Sequence, residues 1–285
     1  MKMKKNIAVI TGADGGMGRE ITRAVAAAGY PVVMVCYDPE KAEPVRRSII
    51  EQSGNKAIEI MQVDLCSLAS VNRLAEELLQ RNTPIDLLMN NAGTLDPRHI
   101  ETVDGLARTT SVNYVAPYLL TRKLLPLLHR GSRIVNMVSC TYAIGHIELP
   151  DFFTRGRKGS FWRIPIYSNT KLALTLFTLE LADRLKEQGI TVNAADPGIV
   201  STNIIKMHNP VIDTLCDLFF RPFIRTPRQG AATAVGLLLS PEAEGRTGTF
   251  NASCRVKPLS AKYTEHPMRQ TLWDETEKIV KKYLS

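Results

Sequence analysis

Tyr167 and Lys171 stand four residues apart in the run Tyr-Ser-Asn-Thr-Lys, a spacing that brings two side chains to one face of a helix. A phenol with its ordinary pKa of about 10 is a poor base at neutral pH. An ammonium beside it favours the phenolate and draws that value down. The pair can then give a proton to a carbonyl oxygen or take one from an alcohol. On its own, a Tyr and a Lys at this spacing also describe an ordinary helix surface. A second feature supplies a setting. Thr11-Gly12-Ala13-Asp14-Gly15-Gly16-Met17-Gly18 follows the apolar run Ile7-Ala8-Val9-Ile10 and opens a helical pattern. Glycines let backbone turn sharply and come close to a pyrophosphate, and a helix N-terminus offers unpaired N–H groups with partial positive charge. Such turns also merely connect elements, but between a buried strand and a helix this one points to a dinucleotide.

The elements that must position these groups alternate regularly. Strands are expected at Ile7–Ile10, Val32–Val35, Ala57–Val63, Ile85–Met89, Arg133–Val138 and Ile190–Ala195. Helices are expected at Arg19–Ala28, Glu40–Gln52, Leu68–Leu79, Leu106–His129, Thr170–Lys186 and Gly230–Leu239. This alternation implies βαβ units and an α/β fold. The expectation is a Rossmann-type, doubly wound parallel β-sheet with helices on both faces, a three-layer α/β/α arrangement binding ligands at the strands' carboxyl ends. No repeat or linker divides the chain, so residues 1–285 are read as one domain. Two stretches break the pattern, an insertion at about 141–165 and a substrate loop or lid at about 199–228; long insertions in compact domains are usually functional.

Composition narrows the class. The chain has 285 residues, 44% of them hydrophobic and 22% charged, as in soluble globular proteins. No apolar run is long enough to span a membrane and the start lacks a secretory pattern, so a cytoplasmic location is expected. The 5 cysteines are scattered, as suits free thiols, and no spacing suggests a metal site. The net charge of +8 is spread without a nucleic-acid module, so no nucleic-acid partner is expected.

The glycine spacing is Thr-Gly-x-x-x-Gly-x-Gly, and here the chain resembles the short-chain dehydrogenase/reductase family. The resemblance extends to Asp64-Leu65, Asn90-Asn91-Ala92-Gly93, Asn113, Ser139, Tyr167-x-x-x-Lys171 and Pro197-Gly198, in the family's order. It is most similar to the retinol-dehydrogenase-like branch, on the run after Tyr167, the long Ser-to-Tyr interval and Leu272-Trp273. The resemblance implies that Tyr167 is the acid/base, that Lys171 also holds the nicotinamide ribose, that Ser139 hydrogen-bonds the reacting oxygen, and that Asn113 holds a relaying water. It implies NAD(P)(H) as cofactor, cradled by Gly12, Asp14, Gly16, Met17 and Gly18. Tyr37 would lie by the adenosine ribose. Asp64 and Leu65 would line the adenine; the alternative for Asp64 is a helix N-cap. Asn90, Asn91, Ala92 and Gly93 would form the turn by the adenine ribose, or a purely structural one. Pro197, Gly198, Ile199 and Thr202 would border the nicotinamide, with Asp196 standing where the branch often has His or Asn.

An acidic residue ending the second strand would mark NAD. In register with the branch that position is Cys36, and Tyr37 takes the place of the arginine that marks NADP. Asp38 either reaches the ribose or caps the next helix. With no carboxylate at Cys36, the reading leans to NADP(H). The implied activity is carbonyl/alcohol interconversion on a small-molecule, lipophilic substrate. The alternatives are C=C reduction at the same site and a non-catalytic redox sensor. Phe219, Phe220 and Phe223 would line the substrate, fill the core or touch a membrane surface. Arg155, Arg157, Lys158 and Arg163 would meet an acidic substrate or anionic lipid, or be plain solvated loop. The apolar faces of the long helices suggest a homodimer.

Overall fold

The computed structural model describes residues 5–96, 98–149, 151–154, 163–200 and 225–284. The apolar, β-branched runs take extended conformations and join one sheet. Its strands are β1 (Ile7–Thr11), β2 (Val32–Cys36), β3 (Ile58–Gln62), β4 (Ile85–Asn90), β5 (Leu128–Met137), β6 (Thr191–Asp196), β7 (Phe250–Ala252) and β8 (Arg255–Lys257). They lie in the order β3-β2-β1-β4-β5-β6-β7-β8. Each pairing up to β7 is parallel, and β8 closes the edge antiparallel. Ile10 sits opposite both Met34 and Met89, which fixes the central register.

Alternation along each strand feeds two cores. Val9, Val33 and Val35 face one; Ala8, Ile10, Val32, Met34 and Cys36 face the other. The second core is covered by α1 (Gly16–Ala27), α2 (Pro39–Ser53) and α8 (Pro227–Leu239). On the first lie α3 (Leu68–Arg81), α4 (Arg108–Thr110), α5 (Ala116–Leu124), α6 (Asp151–Thr154) and α7 (Arg163–Leu185), with a C-terminal helix (Met268–Leu284) behind them. These are the three layers expected. Side chains mark the helix starts. Asp38 accepts from the N–H groups of Glu40 and Lys41, Ser67 from that of Ser70, and Thr226 forms a capping box with Gln229. Strand order reverses between β1 and β4, so a crevice opens at their carboxyl ends, where the glycine-rich turn and Asn91 stand.

Several expected elements are corrected. The single helix expected over Leu106–His129 is instead α4, a π-helical turn (Ser111–Val115), α5 and a short 3₁₀ turn. Pro126 cannot continue the helix, and Leu128 already pairs with Ile85 as the start of β5. The helix expected from Thr170 begins at Arg163, with Pro165 tolerated in its first turn. The insertion therefore ends earlier than 165, and it also contains a 3₁₀ turn (Cys140–Ile144) and α6. β7, β8 and the C-terminal helix were not anticipated. The two strands have three residues each, too few to show a period, and they join through Ser253 and Cys254 at φ 53° and 59°.

Candidate active site

The carboxyl end of β5 and the first turns of α7 bring the chemistry together. Lys171 is 3% exposed, donates from Nζ to the Met137 carbonyl at 2.8 Å, and holds Nζ 5.4 Å from the centre of the Tyr167 ring. Ser139 directly follows β5 and starts the 3₁₀ turn; its Oγ accepts from the Thr141 N–H at 3.3 Å. Burial pushes the Tyr167 phenol up to about 12; a hydrogen bond with the Ser139 side chain pulls it down, while Asp196 and Cys140 add to the rise. Burial brings the Lys171 ammonium down to about 8, with Asp196 opposing. Ser139, Tyr167 and Lys171 therefore lie together at the end of β5.

Asn113 belongs to it differently. It is fully buried on the π-helical turn, and both amide hydrogens are committed, to the Thr94 carbonyl at 2.9 Å and to Thr170 Oγ1 at 3.1 Å. Its Oδ1 accepts from the Thr94 N–H at 2.7 Å. The side chain thus ties the turn after β4 to α7, and a water held by Asn113 would donate to one of its oxygens rather than accept from its amide. A Cβ on Gly93 would lie 3.3 Å from Asn113 Oδ1 and 3.6 Å from Lys171 Nζ, so this glycine keeps open the space between the turn and the ammonium.

Asp196 ends β6 and is 5% exposed. Burial raises its carboxyl above the usual carboxylate range, although the N–H groups of Gly198 and Cys140 donate to it and Arg225 and Lys171 lie near. Gly198, at φ 73°, donates to Asp196 Oδ1 at 2.9 Å. Pro197 accepts from Arg225 at 3.1 Å, and Ile199 is half exposed. Thr202, Phe219, Phe220, Phe223, Arg155, Arg157 and Lys158 lie outside the described residues, as does most of the expected lid.

Next to this site runs a cleft of about 810 Å³, walled by Gly12, Asp14, Gly15, Gly16, Met17 and Gly18, by Val35 and Tyr37, by Val63 to Cys66, and by Asn91 to Thr94 with Arg108 and Val112. Asn91 donates from Nδ2 to the carbonyls of Thr11 and Gly12, and Thr11 Oγ1 receives the N–H groups of Asn91 and Ala92. The turn after β4 thereby clamps the glycine turn. A Cβ on Gly18 would meet the Gly12 carbonyl oxygen in overlap, so the turn closes only without one there. α1 has no side-chain cap and no acidic residue in its first turn. Gly16, Met17 and Gly18 of that turn lie on the cleft wall, where the unpaired N–H groups of a helix start fit a pyrophosphate. Asp64 does not cap α3, since Ser67 does; its Oδ1 accepts from the Cys66 N–H at 2.8 Å and it stays on the wall. Asn90 is internal, bound to Thr121 and Asn136, so its part is structural. Asp38 is a cap, paired with Lys41 at 2.8 Å. Arg108, Val112 and Thr94 were missed on the wall. Nothing local distinguishes them, and only the fold brings them there.

A family model described as enoyl-(acyl carrier protein) reductase matches residues 12–252 of the chain. The chain belongs to the short-chain dehydrogenase/reductase family. It is 35% identical over 286 residues to retinol dehydrogenase 14 of Mus musculus, covering 95% of this chain and 85% of that one. It is 33% identical over 278 residues to polyprenol dehydrogenase of Mus musculus, covering 94% and 82%. A short-chain dehydrogenase from Burkholderia cenocepacia, solved with NADP, is 26% identical with TM-score 0.67, covering 87% and 95%. Within the family the chain is a retinol-dehydrogenase-like member, an NAD(P)(H)-dependent oxidoreductase that interconverts carbonyl and alcohol groups. Among the described residues no helix is long and apolar enough to cross a membrane, and no group of side chains is placed to hold a metal ion.

Proposed function

We propose that this family member acts on a lipophilic alcohol and its carbonyl partner, with an isoprenoid alcohol as the substrate class to test first. The observation that carries the chemistry is the convergence of Ser139, Tyr167 and Lys171 at the end of β5, next to the glycine-walled cleft. A bound nicotinamide dinucleotide supplies the hydride acceptor for oxidation and the donor for reduction. Gly12 to Gly18 would hold its pyrophosphate, Asp64 and Leu65 its adenine, Gly93 and Lys171 its nicotinamide ribose, and Pro197 to Ile199 its nicotinamide.

Tyr167 Oη takes the hydroxyl proton of the alcohol in oxidation and returns a proton to the carbonyl oxygen in reduction. Ser139 hydrogen-bonds the same oxygen and holds it against the phenol. Lys171 favours the phenolate through its charge. Asn113 positions α7 against the turn after β4. The lipophilic assignment draws on two relatives named for retinol and polyprenol, both isoprenoid alcohols. The test is nicotinamide absorbance with purified protein across isoprenoid, steroid and short-chain alcohols and their carbonyl forms, with NAD(H) and NADP(H) in parallel. The expected result is turnover of isoprenoid substrates with a kcat/KM above that of short alcohols. A preference for short polar alcohols overturns the substrate class. Turnover of enones at the C=C bond alone overturns the carbonyl assignment.

A further inference from the structure

We propose that this chain takes NAD(H) in preference to NADP(H), and that Asp14, on the cleft wall next to the end of β2, makes the choice. The proposal rests on the dinucleotide reading of the cleft. In this fold a carboxylate near the end of the second strand accepts hydrogen bonds from the adenosine ribose 2′-OH and repels a 2′-phosphate. Sequence alone finds no such group, because Cys36 occupies the position.

The structure places a carboxylate there by another route. Cys36 is 1% exposed, belongs to the core between the sheet and α1, and is not part of the cleft wall. Ala13 and Asp14 lie beside its thiol, which burial pushes up to about 12 with the Asp14 carboxylate adding to the rise. The glycine turn thus lies over the end of β2. Asp14 is part of the cleft wall with Val35 and Tyr37, where Cys36 would otherwise have faced the ribose.

Among the described residues of the wall, no cation lies on the Asp14 side. Among the described wall residues the only cation is Arg108, which bonds Asp96 through Nε at 3.0 Å and lies across the cleft on α4. Lys41 is held by Asp38, and Arg19 bonds the Ser48 hydroxyl at 3.4 Å. Gly15 contributes no side chain, and Tyr37 is 71% exposed. A 2′-OH can donate to Asp14, whereas a 2′-phosphate would face its charge with no guanidinium to receive it.

The test is equilibrium binding of NADH and NADPH to the full chain at fixed ionic strength, followed by nicotinamide fluorescence, for the wild type, Asp14→Asn and Asp14→Ser. Circular dichroism and melting temperature establish that each variant is folded. The expected wild-type result is NADH bound at least about tenfold tighter than NADPH, with Asp14→Asn removing most of that ratio by tightening NADPH. Tyr37→Arg is the second variant; it should gain more NADPH affinity in the Asp14→Asn background than alone. NADPH bound as tightly as NADH by the wild type, or an unchanged ratio in both folded Asp14 variants, overturns the proposal. Failure of the folded wild type to bind either nucleotide overturns the dinucleotide reading itself.

Discussion

Lys171 Nζ stands 5.4 Å from the centre of the Tyr167 ring and spends a 2.8 Å hydrogen bond on the Met137 carbonyl. The ammonium is therefore held by the end of β5, beside the phenol ring. Its burial costs stability. With Lys171 brought down to about 8 from 10.5, native and unfolded chains both carry the proton below pH 8, and the native state bears the full cost of a buried charge. As pH rises from about 8 towards 10.5 the unfolded chain holds the proton longer than the native one, so stability increases through that window.

Lys171→Met should accordingly raise the stability of the cofactor-free protein by up to about 3 kcal/mol near pH 7 and by much less near pH 10. Urea unfolding at the two pH values checks this. A uniform loss of stability would show that the Met137 bond outweighs the buried charge.

Tyr167→Phe removes the proton carrier but leaves the ring on α7. Turnover should fall by a factor of about 100 to 10,000, with nucleotide affinity changed by less than about threefold. Steady-state kinetics alongside nucleotide titration separate the two. Retained turnover would take the acid/base role away from Tyr167.

Asp196 places a negative charge near Tyr167 and Lys171, and raises both of their pKa values. Asp196→Asn should move the ascending, low-pH limb of the alcohol-oxidation pH profile to lower pH, by about one unit or less. The sign follows from removing a charge that disfavours the phenolate. A shift to higher pH would mean that loss of the Gly198 and Cys140 hydrogen bonds dominates.

Trp273 on the C-terminal helix packs edge-on against Tyr118 at 5.1 Å and stacked on Phe177 at 5.9 Å, under the guanidinium of Arg184 at 4.1 Å. It covers, within one chain, part of the α5 and α7 surface that the sequence suggested for pairing between subunits. Trp273→Ala should cost about 3–5 kcal/mol in urea unfolding. Size-exclusion chromatography of the folded variant reads whether the uncovered face then associates.

Much of this architecture was legible before folding. Tyr167 and Lys171 share a face because four residues make about one helical turn. The glycine turn declares itself by its place between an apolar strand and a helix, and the βαβ order follows from periods of 2 and 3.6. Each is a local property, carried by neighbours along the chain.

The rest depended on contacts that local pattern does not encode. Asp14 joins the cleft wall beside Val35 and Tyr37 only because the first turn folds over Cys36. Asn113 loses its free amide hydrogens to Thr94 and Thr170, which lie 19 and 57 residues away. β7 is too short to show a period and exists because β6 offers it an edge. The C-terminal helix owes its position to the aromatic surface of α5 and α7. Periodicity decides which elements form, whereas the identity of the group facing a ligand depends on which distant backbone lies over it, and only the packed sheet decides that.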